Sequence, residues 1–196
     1  MLTKLKQQVQ TWLTSTATFF HNLGLTPNHV SVLGLIFAGF AALAYSQWRL
    51  NHVLLIVAPA LMLISGLFDA LDGVIARVYG EATTFGGFFD SLLDRYADAV
   101  VLCGIMLGGL THFAWGLAAL MGSLMVSFAR ARAEAAGVKM ESVGLAERAE
   151  RIVILAMVSF LSYVWLDALD WGILLLAVLT NLTVVQRVLY FRKASQ

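Results

Sequence analysis

Six stretches of this chain are apolar over about the thickness of a bilayer's hydrocarbon core, which leaves it few folds. They fall at about 28–48, 52–77, 85–110, 112–135, 151–166 and 171–191, the fifth being the shortest. A helix crosses that core with roughly 20 residues, and in hydrocarbon every backbone amide and carbonyl must be satisfied internally. Composition agrees, since 60% of the residues are hydrophobic and only 13% charged, where a soluble domain carries roughly a quarter. The expected fold is all-α: an integral membrane bundle of six transmembrane helices over 28–191, in a single domain covering 1–196. Pro59 inside the second stretch predicts a kink. There is no internal repeat or low-complexity tract, and the polar connection at about 135–150 is too small to fold alone.

Ahead of the first stretch, Leu2, Leu5, Val9, Trp12, Leu13 and Phe19 recur at helical spacing, with Lys4, Lys6, Gln7 and Gln8 opposite them. That pattern predicts an amphipathic helix over 1–22 lying in the interface, and the segment lacks the continuous apolar core of a signal peptide. Lys4, Lys6, Arg77, Arg130, Arg132, Lys139, Arg148, Arg151, Arg187, Arg192 and Lys193 all fall on one side of a six-span plan. Arg95 lies on the same half, and Arg49 alone falls opposite. Basic residues gather in the cytoplasm, so both termini are expected there, in a multi-pass protein of the cell membrane. The net charge of +1 identifies no partner, and no nucleic acid is expected as one. Cys103 sits alone in an apolar run and reads as a small packing side chain. His21, His29, His52 and His112 and the five tryptophans sit mostly near span ends, as interfacial anchors do.

Within the second and third stretches lie four aspartates at set helical spacing, Asp69, Asp72, Asp90 and Asp94, with Asp98 one turn beyond the last. Acids at bilayer depth are costly and mark function by default. At about 100° per residue, Asp69, Asp72 and Ala76 share one narrow arc, and Gly86, Asp90 and Asp94 share another. Antiparallel neighbours joined by a short turn would bring the two arcs together. Four bare carboxylates would repel one another, and hard divalent cations such as Mg²⁺ or Mn²⁺ relieve that repulsion through oxygen ligands. The absence of His and Cys from the cluster argues against zinc. Gly73, Ala76 and Gly86 leave room beside it, and Arg77 offers planar donors suited to phosphate. Close helix packing is the other use of such small residues in membranes. A cation channel or transporter is the rival reading of the acids, but they gather on one side instead of following a route across.

The string D-x-x-D-G-x-x-A-R-x₈-G-x-x-x-D-x-x-x-D, from Asp69 to Asp94, is filled at every fixed position. It resembles the signature of the CDP-alcohol phosphotransferase family, membrane enzymes of phospholipid synthesis, and the six-span plan is similar too. The resemblance implies transfer of a substituted phosphate from a CDP-linked lipid to an alcohol, with release of CMP. It implies that Asp69, Asp72 and Asp90 ligate metal, with Asp94 beside them as ligand and general base. The cofactor would be two Mg²⁺ or Mn²⁺ ions per site. Asp69, Asp72, Gly73, Ala76, Arg77 and Gly86 would bind the CDP donor. A homodimer is implied as well, for which Gly104, Gly108, Gly109, Ala118 and Gly122 could permit close packing.

A second cluster surrounds the polar connection: Ser127 to Glu134, then Lys139, then Glu147 to Arg151. Ordinary attraction to anionic lipid is one reading. Basic residues interleaved with glutamates, starting inside a span, could instead face a cavity and hold an acceptor that itself bears phosphate. The A-R-A-E and E-R-x-E-R strings and Gln186-Arg187 resemble the branch making phosphatidylinositol phosphate or its archaeal ether-lipid counterpart. That resemblance implies inositol 1-phosphate as the phosphorylated polyol acceptor, bound by Arg132, Lys139, Arg148, Arg151 and Arg187, with glycerol 3-phosphate as the alternative. Asp98, one turn past Asp94, reads as a helix-to-helix hydrogen-bonding group, and Arg95 as the partner of an acid or lipid phosphate.

Overall fold

The computed structural model describes residues 13–140 and 143–195, and among them it contains helices and no strand. Six helices follow one another: α1 (Pro27–Ser46), α2 (Leu54–Val78), α3 (Thr84–Leu107), α4 (Phe113–Ala135), α5 (Arg148–Leu161) and α6 (Asp167–Ala194). Residues 13–22 are helical as well, while 1–12 of the expected amphipathic helix lie outside the described residues. α1, α2, α4 and α6 are each long and apolar enough to cross a membrane. α3 has the length, with 24 residues, but carries Asp90, Asp94, Arg95 and Asp98. α5 has 14 residues, shorter than the expected fifth span, because its helix ends at Leu161 in the turns that lead to α6.

α1 starts where the sequence stops competing with the helix. Thr26 caps it by accepting from the His29 amide, the His29 ring accepts from the Thr26 amide, and Pro27 opens the first turn. From there Gly34, Ala38, Ala41, Ala42 and Tyr45 form a buried, mostly small-residue face. That face packs against both α2 and α3, which touch each other over only a few residues. The expected direct pairing of the two aspartate helices is therefore corrected, since α1 holds them in place by packing against each. A methyl group on Gly104 would sit 2.5 Å from the Ala42 Cα and carbonyl oxygen, so α3 approaches α1 backbone to backbone. α4 packs on α6, and α5 bridges α2 and α6. One apolar cluster draws residues from all six helices, among them Ala41, Leu55, Val101, Ala119, Leu155 and Ile173. A smaller cluster seats Ala17 of the N-terminal helical segment on Val30, Leu71 and Ile75. Outward faces are also apolar, as at Val32, Ile36, Phe40 and Leu43 of α1, which suits lipid as the solvent.

The glycines considered for a dimer are occupied within the chain. Gly104 and Gly108 face α1, and Gly122 faces Thr180 of α6. α2 continues as helix through Pro59.

Adding a methyl group where two backbones meet cannot be relieved by a rotamer change. Gly104→Ala is expected to lower the apparent melting temperature in detergent clearly, by the equivalent of about 1–3 kcal/mol. Gly39→Ala, whose methyl group would meet nothing within 4 Å, should leave it unchanged or slightly higher. Equal melting points for the two variants would contradict the close α1–α3 crossing.

Candidate active site

Asp69 and Asp72 project from α2, and Asp90, Asp94 and Asp98 from one stripe of α3. One oxygen each from Asp69, Asp72 and Asp90 comes within 4.8 Å of the other two. Asp72 is the most enclosed at 4% exposure, and the Ser31 hydroxyl donates to it at 2.5 Å from the first turns of α1. Metal–oxygen bonds of about 2.0–2.6 Å place ligand oxygens within about 5 Å of one another, so this all-oxygen set fits a hard divalent cation.

Asp94 stands outside that triad and turns toward Arg148, the first residue of α5. The Arg148 Nη1 lies 3.1 Å from the Asp94 carboxylate and also hydrogen-bonds Asp69. Its Nε is 3.5 Å from Asp98. Asp98 in turn accepts from Arg151 Nη2 at 2.6 Å, while Arg151 Nη1 donates to the Ala146 carbonyl at 3.2 Å. These contacts agree with the reading of Asp98 as a link between helices. Arg187, only 2% exposed, donates to the Val143 and Val126 carbonyls at 2.8 and 2.6 Å and pairs with Glu147 at 3.3 Å.

Two cavities flank the carboxylates. One, of about 420 Å³, is lined by Asp72, Gly73, Ala76, Gly86 and Asp90, with the cap residue Thr26, Asn28 and Ser31 of α1 and Glu81 to Thr83 from the α2–α3 connection. Its floor depends on Gly86, where a Cβ would come 3.0 Å from the Thr83 hydroxyl and 3.4 Å from Asn28 Oδ1. Arg77 is exposed and folds its guanidinium back over Gly73. The second cavity, of about 350 Å³, has Asp94 and Asp98 on one wall and Arg130, Arg148, Arg151 and Arg187 on the others. A small pocket of about 10 Å³ beside Asp69 shares Asp72 and Asp90 with the first cavity and Asp94 and Arg148 with the second.

Of the five basic residues expected at an acceptor phosphate, Arg148, Arg151 and Arg187 line the second cavity. Arg132 and Lys139 do not, and both are exposed. Arg130 occupies the α4 wall because two positions along a helix are about 200° apart, which turns Arg132 away. Lys139 follows the turn at Gly137 that ends α4. Ser31 and Asn28 went unread as site residues. The signal for them is weak, because Thr26-Pro27-Asn28 already makes sense as a helix start and nothing local points its polar face at α2.

Comparison with known proteins agrees with this geometry. Residues 24–185 match the model of the CDP-alcohol phosphatidyltransferase family. The chain is 37% identical over 193 residues to archaetidylinositol phosphate synthase of Pyrococcus horikoshii, covering 98% of this chain and 97% of that one. It is 40% identical over 171 residues to the same enzyme of Methanothermobacter thermautotrophicus, covering 86% and 84%. Its fold is similar to phosphatidylinositol phosphate synthase of Mycobacterium tuberculosis, solved with CDP-DAG bound and with manganese and citrate. For the CDP-DAG complex the TM-score is 0.81, with 32% identity and 91% and 92% of the two chains covered. For the manganese complex it is 0.81 at the same identity, covering 91% and 88%. The protein is thus a membrane-embedded phosphotransferase with its carboxylates between two cavities. The chain belongs to the CDP-alcohol phosphatidyltransferase family.

Removing one carboxylate of the triad should weaken divalent binding whether or not the enzyme turns over. Asp69→Asn and Asp72→Asn are each expected to reduce Mn²⁺ affinity at least about tenfold, read by the free-ion EPR signal in nanodiscs. Asp98→Asn should stay within about threefold of the parent protein. Loss of equal size in all three would place the ion elsewhere.

Proposed function

We propose that the chain transfers the lipid phosphate of a CDP-linked lipid to inositol 1-phosphate, releasing CMP, at the junction of the two cavities. The observation that carries this reading is the pairing of a glycine-floored cavity with an arginine-walled one across a single carboxylate cluster. The glycine side suits the diphosphate and nucleoside of the donor. The arginine side suits an acceptor with a phosphate of its own, since a phosphate dianion needs several donors to offset its desolvation. The relatives' names, archaetidylinositol and phosphatidylinositol phosphate synthase, favour the same acceptor over glycerol 3-phosphate.

Asp69, Asp72 and Asp90 would hold the divalent ions, Mg²⁺ or Mn²⁺ and two per site, with Asp94 within reach of them. When bound, such ions supply countercharge to the diphosphate and to the departing CMP oxygen. Gly73, Ala76 and Gly86 admit the donor's headgroup, and Arg77 lies over Gly73 at its rim. Asp94 faces the second cavity, where it takes the proton of the acceptor hydroxyl. The hydroxyl oxygen then bonds to the lipid-bearing phosphorus as the bond to CMP breaks. Arg130, Arg151 and Arg187 hold the acceptor phosphate so that one ring hydroxyl meets Asp94.

We place all six helices in the membrane as one domain, with the N-terminal helix on its surface and both termini and the site facing the cytoplasm. That side holds the basic ends of the chain, and a site there would admit a soluble acceptor to a lipid donor. The working unit is read as a homodimer from the family resemblance, a reading that mass measurement in nanodiscs checks.

Acceptor competition among inositol 1-phosphate, free inositol, glycerol 3-phosphate and serine, with product masses read directly, tests the assignment. Inositol 1-phosphate is expected to dominate, and release of CMP should require the divalent ion. Asp94→Asn should abolish turnover with donor binding largely retained. Arg151→Ala should raise the acceptor KM about 10- to 150-fold, as loss of a charge-assisted contact of about 1.5–3 kcal/mol does. Preference for free inositol or serine would sink the phosphate-binding role of the arginine wall, and preference for glycerol 3-phosphate would change the product.

A further inference from the structure

The arginines of the second cavity do not reach into it freely. Arg130 pairs with Glu134 at 2.8 Å, Arg187 with Glu147 at 3.3 Å and Arg151 with Asp98 at 2.6 Å. Arg148 lies between Asp94 at 3.1 Å and Asp98 at 3.5 Å. Each of these four guanidiniums is thus tied to an acid, while Arg95, also on the lining, donates to the Ser91 carbonyl, and Asp98 meets two of the four, Arg148 and Arg151. An acid in a cavity that binds anions would ordinarily weaken it by like-charge repulsion. Asp98 escapes that cost because one of its oxygens accepts from Arg151 and the other faces Arg148. Its side chain is 17% exposed, so most of its surface is already taken.

We propose that Asp98 is a positioning residue of the transfer reaction. It fixes the Arg151 fork at the acceptor cavity and lends countercharge to Arg148, whose Nη1 is held by Asp69 and Asp94, and so sets acceptor affinity without itself binding either substrate. This inference rests on the reading of the second cavity as the acceptor site. The physical basis is preorganisation, because a long arginine side chain otherwise loses rotamer freedom when it meets the phosphate. Asp98 removes that freedom in advance for Arg151. Position matters as well: Asp90, Asp94 and Asp98 follow one another at successive turns of α3. Any shift of the Arg148 fork is therefore felt at Asp94, the group facing the acceptor hydroxyl.

The test uses full-length protein in nanodiscs, with steady-state constants for CDP-lipid and for inositol 1-phosphate. Asp98→Asn is expected to raise the acceptor KM about 10- to 100-fold and leave the donor KM within about threefold. Asp98→Glu keeps the charge but displaces it by one methylene, and should raise the acceptor KM only about 3- to 10-fold. In the Arg151→Ala background, Asp98→Asn should add at most about threefold more, because two residues acting through one contact are not additive. An acid that bound the acceptor's hydroxyls directly would instead give multiplying effects, and that result overturns the inference. So does a rise in donor KM as large as that in acceptor KM. If Asp98→Asn does not fold, Asp98→Glu decides alone, and an unchanged acceptor KM there overturns the proposal. An unchanged acceptor KM in Arg151→Ala would defeat the acceptor-site reading itself. A raised one with Asp98→Asn silent would defeat only the role of Asp98.

Discussion

Carboxylates crowded into an apolar bundle need countercharge, and the rest of the structure is arranged around supplying it. Asp69, Asp94 and Asp98 all lie against one guanidinium, that of Arg148. Breaking such a partly buried set by removing one partner leaves an uncompensated charge, commonly at a cost of about 3–5 kcal/mol. α5 therefore begins where it must: its first residue belongs to the charge cluster and its next turn adds Arg151. The fork geometry of arginine matters here, since a lysine could not face three acids on two helices with fixed donors.

Neutralising the acids leaves the problem of aiming them. α2 and α3 scarcely touch, so their register comes from α1, whose small residues let it lie against both. Ser31 adds a directional element by donating to Asp72, the most buried of the acids. The same helix and its cap contribute Asn28 and Thr26 to the wall of the first cavity. One apolar helix, with no acid of its own, thus sets the spacing of the carboxylates and encloses one of the two pockets beside them.

Much of this was legible in the chain before its structure. Long apolar runs mark helices because hydrocarbon leaves the backbone little choice, and four of the six stretches became helices able to cross a membrane. The aspartates were legible because acids rarely survive in such runs, and their helical spacing places them on shared arcs. The wedge of α1 was not, since Gly34 and Gly104 read alike whether they meet another helix or a second copy of the chain. Nor was the choice of Arg130 over Arg132 at the cavity, which depends on the rotation of α4 about its axis. Arg148 and Arg151 were seen as cations, but their partners lie far off in sequence, Asp69 being 79 residues from Arg148. Pairings of that kind are set by which helices become neighbours, and no local pattern encodes them.

The hydrogen bond from the Tyr45 hydroxyl to Ser159, 2.8 Å long and buried, has a mechanical consequence. α1 is fastened to α2 at Ser31 and to α5 at Tyr45, and α5 returns to α2 through Arg148 and Asp69. Three helices and three polar fasteners make a closed linkage, a triangle with one corner at the carboxylates. Fourteen residues separate Ser31 from Tyr45, about 21 Å along the axis of α1. A triangle cannot change one angle alone, so tilting α5 at its far end would drag the arginine fork across the acids at the near end. The angle at which α5 leans on α1 is thereby tied to where the Arg148 fork meets the acids.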